Sequence, residues 1–554
     1  MSYNYNYAKM EYLIYFQLGG VKNKWKTFSH NGVLFPPEYT KHDIPIICNG
    51  ERIILSKDAE ELATLYAKYT ESEYIKSAVF KKNFWKDWKK TLTNFPQIKS
   101  LADCDFSLIF SYLIDQKEKV KGISKQEKIL IKEEKDTIEH KYKTAIVDGK
   151  EQPVGNFRVE PPGIFIGRGC HPKLGRIKRR IYPEDITINI GKEADIPKIP
   201  DIFNKKHNWG KIIHDRTVEW LASWVDNVTN KTKYVWLGTQ SNFKADSDIR
   251  KFDLARKLKK KIARIRETNY KNMSDGDIIV RQIATALYLV DYLALRVGNE
   301  KSEDEADTVG VTSLRVEHIR LEEDDKITLD FLGKDSVRYL RTIVVDPQVY
   351  KNIGDFMEDK RSDEDIFNKI NSSMLNKYLQ SFMPELTAKV FRTYNASCLF
   401  QKELKKISKK VQTMNDLDES SKINFLLDGF NKANIRVALL CNHQKQVSKT
   451  FDEQLAKINT KIKEAQKQLK KIKKDSKNKE RIKKKKDSIN KMKAKRDLKI
   501  DLKNISLETS KVNYIDPRIT ISFIKKHNIS IDKIFSKNLQ NKFWWAFEVE
   551  DYKF

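Results

Sequence analysis

The chain has 554 residues and carries 106 Lys and Arg against 76 Asp and Glu, a formal net charge of +30. This length exceeds what one hydrophobic core serves, so about three or four domains are expected. The basic excess calls for a polyanionic partner, nucleic acid first and an anionic membrane surface second. Usage rich in Lys, Asn, Ile and Tyr throughout contributes to the excess, so charge alone does not decide. The five cysteines, Cys48, Cys104, Cys170, Cys398 and Cys441, include no C-x-x-C pair. They speak against a disulfide framework or a zinc site and fit a reducing, intracellular compartment. No stretch approaches the roughly 18–20 apolar residues of a membrane span. The opening MSYNYNYAKMEYLIYF lacks the pattern of a signal peptide.

Residues 1–20 carry little pattern and are expected to be a short disordered tail. Residues 58–69, DAEELATLYAKY, repeat apolar side chains at helical spacing. Residues 124–143 open on Ser124 at an N-cap position and alternate charge, which predicts a long exposed helix. The segment 160–180, EPPGIFIGRGCHPKLGRIKRR, is dense in Gly, Arg and Lys with almost no acid, and suits phosphate contact.

From residue 250 the pattern turns helical. Residues 277–299 are apolar nearly all round and predict a core helix ending at Gly298. Three strands are expected over 312–322, 326–333 and 337–346, with turns at Asp324-Asp325 and at Gly333–Asp335. Helices should then fill about 348–445. In 450–500, Leu455, Ile458, Ile462, Ala465, Leu469 and Ile472 form a heptad seam. The sequence DSKNKE (475–480) breaks it, and Ile482, Ile489 and Met492 make a weaker second seam. Residues 461–500 hold 17 Lys and two Arg against five acids, a net +14. Together these predict a basic antiparallel helical hairpin. The block 504–554 reads as helical, and its terminal aromatic cluster FWWAFEVEDYKF as packing.

Common catalytic engines are missing from the sequence. There is no G-x-x-x-x-G-K-[ST], no G-x-G-x-x-G, no H-E-x-x-H, and no His/Asp/Glu grouping at metal-ligand spacing. Phosphoryl transfer without those engines needs an attacking side-chain oxygen, cations on the non-bridging oxygens, and a donor for the leaving oxygen. A tyrosine with Arg, Lys and His around it meets all three needs. Composition does not choose among the 22 tyrosines.

Seven collinear segments supply the choice. They are FKKNFWKDWKK (80–90), EPPGIFIGRGCHPKLG (160–175), LALRVGNEK (293–301), FLGKDSVRY (331–339), LTAKVFRTYNAS (386–397), LLCNHQK (439–445) and TSKVNYIDPR (509–518). With them the chain, from about Lys24 to its end, resembles the eukaryotic type IB DNA topoisomerases.

The resemblance implies that Tyr514 attacks a DNA phosphate and forms a 3′-phosphotyrosine, with Arg296, Arg392 and His443 on the phosphoryl oxygens. It also implies that Lys334 protonates the leaving 5′-oxygen. Arg168, Asp335 and Asn513 match residues that line the cleavage site, where poisons of the camptothecin type stack. His171 and Lys173 match one side of a lip contact, whose opposing loop (301–308) is one residue shorter than the family pattern.

The implied fold is mixed α+β and predominantly α-helical, a two-lobed DNA clamp. Residues 1–20 form a short tail, 21–237 a mixed cap lobe, and 238–445 a mainly helical catalytic lobe with a small antiparallel sheet. Residues 446–503 form a coiled-coil linker and 504–554 a small helical domain carrying the nucleophile. The implied partner is duplex DNA, supercoiled above all, bound by a monomer. No ATP or other cofactor is implied, and divalent metal is stimulatory at most.

The short tail departs from the long charged N-terminal region usual in the family, as in a reduced or viral version. A nuclear location follows from the resemblance, and a viral particle or factory if the source is viral. The rivals are a tyrosine recombinase and a catalytically inactive DNA-binding protein. The first is opposed by Lys389, which stands three residues before Arg392 where recombinases carry His. The second is opposed by the presence of all five catalytic residues.

Overall fold

The structure is a computed structural model. It describes residues 23–554 except 204, 300, 302–304, 415–417, 446, 449 and 476–478. The tail expected over 1–20, residues 302–304 of the loop 301–308 and the centre of the break at 475–480 therefore lie outside the described residues. The chain is mixed α+β and dominated by helices, with several small, mostly antiparallel sheets. It divides into two compact units, one running to Ser247 with Lys301–Asp307, the other comprising Asp248–Glu300 and Thr308–Phe554.

The first unit has two cores. One gathers Trp25, Phe28, Ile188 and Trp224 between a three-stranded sheet (Phe28–His30, Thr144–Val147, Lys150–Pro153) and a four-stranded sheet containing Trp220–Val225. The other packs Phe80, Phe84, Trp88 and Phe106 among the helices Lys57–Ala67, Ala78–Trp88 and Ser107–Gly122. The expected exposed helix is Lys125–His140. Ser124 closes a capping box with Glu127, satisfying two helix-start N–H groups reciprocally.

The loop 165–176 lies against the helix Ala78–Trp88. Asn83 Nδ2 donates to Pro172 O and Leu174 O, both at 2.8 Å, and Arg176 Nε donates to Asp87 at 2.6 Å. Gly175 has φ +90°, and a Cβ there would meet Phe80 O at 2.3 Å, so only glycine allows this approach.

The second unit has one large core. The strands Lys326–Gly333 and Val337–Val344 form the expected hairpin. The reading of 312–322 as one strand is corrected. Short 3-10 turns occupy Val311–Ser313 and Val316–His318, and pairing begins only at Ile319. Backbone N–H groups there serve other segments, with Thr312 donating to Val297 O at 2.7 Å and Glu317 to Ser362 O at 2.9 Å. Four helices follow: Pro347–Met357, Ser372–Phe382, Ala388–Gln412 and Glu419–Leu440.

The basic hairpin comprises Phe451–Asp475 and Lys479–Asp501. Its seam is narrow, with Ile462, Ala465 and Ile489 buried. Lys499 donates to Gln454 and Lys485 to Gln468, both at 2.6 Å, which sets an antiparallel register. In the terminal block Phe543, Ala546, Tyr552 and Phe554 are buried and pack as expected, whereas Trp544 is exposed.

The core helix ends earlier than its apolar pattern predicts, at Tyr292 rather than Gly298. Ala294 takes φ +51° and turns the chain out of the helix. The next residues run as coil against 310–312, where Gly298 (φ +86°) packs on Gly310. A Cβ on Gly310 would lie 2.4 Å from Gly298 Cα and 2.8 Å from Arg296 O. Gly310→Ala should therefore cost about 1–3 kcal/mol of stability in denaturant unfolding through overpacking. Gly276, whose Cβ would meet nothing within 4 Å, is the control, and its alanine variant should stay within about 0.5 kcal/mol of the parent. Equal stability of the two variants would disprove the close approach.

Candidate active site

The segment after the core helix fixes Arg296. Arg296 O accepts from Val311 N–H at 2.9 Å, which pins the backbone and leaves the half-buried guanidinium beside a cavity.

Arg392 sits in the second turn of the helix Ala388–Gln412 and is 5% exposed. Its Nη1 donates to Ala294 O at 2.5 Å and its Nη2 to Cys441 O at 3.0 Å. Its Nε is buried with no hydrogen-bond partner among the described residues. A planar fork divided this way is held in one orientation, which a lysine could not reproduce.

His443 follows the helix Glu419–Leu440. Asn442 takes φ +52°, and His443 N–H donates back to Ala438 O at 2.8 Å, a C-terminal motif that usually uses glycine. The imidazole is 7% exposed. Its Nδ1 lies 2.7 Å from Ser510 Oγ, and its Nε2 is buried without a partner among the described residues. Burial, then the charges of Arg392 and Arg296, push its pKa down to about 3, so the ring is neutral near pH 7.

Tyr514 ends the short helix Leu507–Asn513. Its N–H donates to Ser510 O at 3.0 Å, and its carbonyl accepts from Ser397 Oγ at 3.0 Å. Ser397 Oγ also accepts from Asp516 N–H at 3.1 Å, and Asp516 caps the next helix. The Tyr514 ring stacks on His443 with centroids 5.3 Å apart, and the Arg392 guanidinium lies 4.9 Å from its centre.

A cavity of about 130 Å³ joins these parts. It is lined by Arg296, Lys334, Asp335, Arg392 and His443 among others. Lys334 and Asp335 are exposed on the hairpin turn, where Asp335 and Ser336 take φ +68° and +57°. Tyr514 packs beside the cavity and is absent from its lining; it is 5% exposed. Asn513 is exposed next to it, with Nδ2 donating to Thr509 O at 3.1 Å.

The remaining predicted residues belong to the first unit. Arg168 is exposed on the 165–176 loop. His171 is half-buried, edge-on to Phe165 at 4.8 Å, and its Nδ1 accepts from Lys173 N–H at 3.1 Å.

Sequence reasoning missed several groups here. Tyr339, Cys441 and Thr509 line the cavity. The Tyr339 ring stacks on Phe331 at 5.2 Å and lies under the Arg341 guanidinium. Tyr339 and Phe331 face each other in the hairpin register, a pairing that the strand pattern and turn position contain. Ser397 and Ser510, which hold Tyr514 and His443, gave no local signal.

Comparisons with known proteins bear on the whole chain. Residues 23–237 match the model for the DNA-binding fragment of eukaryotic DNA topoisomerase I, and residues 240–476 match its catalytic core. Residues 486–554 match a C-terminal topoisomerase domain. The chain is 43% identical to "DNA topoisomerase 1 beta" of Arabidopsis thaliana over 557 residues, covering 96% of this chain and 59% of that protein. It is 44% identical to "DNA topoisomerase 1" of Caenorhabditis elegans, covering 95% and 67% respectively. Against "DNA topoisomerase 1" of Homo sapiens the identity is 41%, covering 96% and 72%. The chain thus spans 59–60% of the length of the two Arabidopsis relatives.

His30 provides a second neutral imidazole. Its Nδ1 accepts from Gly32 N–H at 3.0 Å and its Nε2 lies 3.0 Å from Asn189 O, while burial lowers its pKa to about 4. A histidine whose folded pKa lies below its unfolded value stabilises fully above the unfolded value, near 6.5. That stability is lost as pH falls toward the folded value. Urea unfolding free energy should therefore drop between pH 6.5 and 4, with each of His30 and His443 contributing up to about 1.4 kcal/mol per pH unit. His30→Gln should flatten the slope by one proton's worth, and an unchanged slope would remove His30 as a source.

Proposed function

Because the chain belongs to the eukaryotic DNA topoisomerase I family, we propose that it is a type IB DNA topoisomerase that relaxes positive and negative supercoils. The observation that carries this reading is the cavity gathering Arg296, Lys334, Arg392 and His443, with the Tyr514 ring against two of them. Tyr514 Oη loses its proton to solvent as it attacks a backbone phosphorus, and the P–O5′ bond breaks. The 3′-phosphotyrosine keeps the free energy of the broken phosphodiester, so the 5′-hydroxyl reseals the strand by the reverse step without ATP.

Arg296 and Arg392 meet the charge that builds on the non-bridging oxygens, since guanidinium forks match phosphate oxygens and stay charged. His443, neutral, donates one further hydrogen bond. Lys334 protonates the leaving 5′-oxygen from its exposed turn. No metal is required for any of these roles.

Residues 21–237 and 238–445 act as cap and catalytic lobes around the duplex, and 504–554 delivers the nucleophile. The hairpin, 446–503, slows rotation of the cut duplex by charge drag. Asp335 and Asn513 border the nick where planar poisons of the camptothecin type would stack, and Arg168, His171 and Lys173 contact DNA from the first unit. The chain works as a monomer in the nucleus, and among the described residues no helix is long and apolar enough to cross a membrane.

Four measurements test the reading. Plasmids of either supercoil sign should relax in EDTA without ATP, and Tyr514→Phe should abolish relaxation while keeping DNA affinity. Relaxation retained in that variant would overturn the assignment of the nucleophile. Deleting 455–500 should preserve cleavage but speed strand rotation or weaken salt-resistant binding. If neither changes, the hairpin is only a spacer. Affinity itself should fall by orders of magnitude between about 50 and 200 mM salt, as when many phosphates are neutralised.

A further inference from the structure

Building on the reading of this cavity as a phosphate site, we propose that Ser510 is a positioning residue whose hydroxyl donates to His443 Nδ1, holding the imidazole as the tautomer that presents Nε2–H to the cavity. The two groups are 2.7 Å apart, Ser510 is 0% exposed, and His443 is 7% exposed. No other hydrogen bond of the Ser510 hydroxyl occurs among the described residues. Were the imidazole to donate instead, two groups, the hydroxyl proton and the Nε2 lone pair, would be buried without partners rather than the Nε2 proton alone, and each such group costs about 1–3 kcal/mol. With Ser510 donating, its proton and the Nδ1 lone pair satisfy each other, and the remaining ring proton must sit on Nε2.

That atom is where a donor is useful. Nε2 is buried with no partner among the described residues, and His443 lines the cavity with Arg296 and Arg392. A neutral ring lacking the Nε2 proton would aim a lone pair at the phosphoryl oxygens and repel them.

The arrangement also ties the site to the nucleophile's own helix. Ser510 lies one turn before Tyr514 and its carbonyl accepts from Tyr514 N–H. His443 N–H and O are held by Ala438 and Ser506, so the ring turns only about its side-chain bonds. The other charged or titratable groups around His443 are Arg296, Lys334, Asp335, Tyr339, Arg392 and Cys441 in the cavity lining and the stacked Tyr514, and among the described residues none of them is placed against Nδ1 by a hydrogen bond.

The test combines spectroscopy and kinetics on the full chain. Nitrogen-15 NMR of histidine-labelled protein, assigned with His443→Gln, should show Nδ1 as the unprotonated nitrogen and Nε2 as the protonated one near pH 7. A protonated Nδ1 would overturn the proposal. In single-turnover cleavage of a nicked duplex oligonucleotide, Ser510→Ala should slow cleavage at least about tenfold with unchanged DNA affinity, a fraction of the loss expected for removing a transition-state donor outright. Ser510→Thr, which keeps the hydroxyl, should stay within about threefold of the parent. Equal losses in the two variants, or no loss in Ser510→Ala, would overturn it. Failure of the parent chain to cleave would sink the functional reading instead, and the NMR measurement would still decide the tautomer.

Discussion

A guanidinium withdrawn from water organises this site. Arg392 is buried, and removing its charge from solvent is costly unless its donors find acceptors, as Nη1 and Nη2 do here and Nε, among the described residues, does not. Two of its nitrogens reach main-chain carbonyls at the ends of different elements, Ala294 after the core helix and Cys441 after the helix Glu419–Leu440. One side chain thereby fixes three stretches of chain, including the two that carry Arg296 and His443. The charge also acts at a distance. Beyond burial, it and Arg296 disfavour a third positive charge, on His443, so the site keeps permanent cations beside a neutral donor.

The cavity is assembled where regular structure stops. Arg296 follows a helix that ends early, His443 follows a helix C-terminus, Lys334 lies in a hairpin turn, and Tyr514 caps a seven-residue helix. Backbone in the left-handed region makes these exits, at Ala294, Asn442 and Asp335. Asn and Asp adopt it readily, whereas Ala294 costs roughly 1 kcal/mol or more. That cost is met by the surrounding core and by the hydrogen bond its own carbonyl accepts from Arg392. Elements supply the rigidity, and their ends supply the directions in which side chains point.

Periodicity carried the fold a long way. The capping signature at Ser124, the strand pair around Gly333, the heptad seam from Leu455 and the terminal aromatic packing were all legible as local patterns. The errors fell where long-range contact outweighs local preference. Residues 293–299 continue an apolar helical pattern, yet the approach of Gly298 to Gly310 draws them into coil. Residues 312–318 read as strand, yet their N–H groups serve distant carbonyls. In the site, chemistry alone named the residue types, and the family resemblance chose the positions. Ser397 and Ser510 stayed hidden because each acts across a large separation, 117 residues to Tyr514 and 67 to His443, and serine has no pattern of its own.

The basic hairpin has a consequence of its own. Its two helices hold together through a thin seam in which Ile462, Ala465 and Ile489 are buried, while 461–500 carries a net +14. The helices therefore attract through little apolar area and repel through much like charge. Added electrolyte relieves that self-repulsion, with a screening length near 10 Å at 0.1 M, and by the same screening loosens any grip on a polyanion. Ionic strength thus acts on this element with two opposite signs, tightening the hairpin as it weakens the hold. The polyanion itself replaces salt as the counter-charge, so the element is most firmly paired when it is engaged.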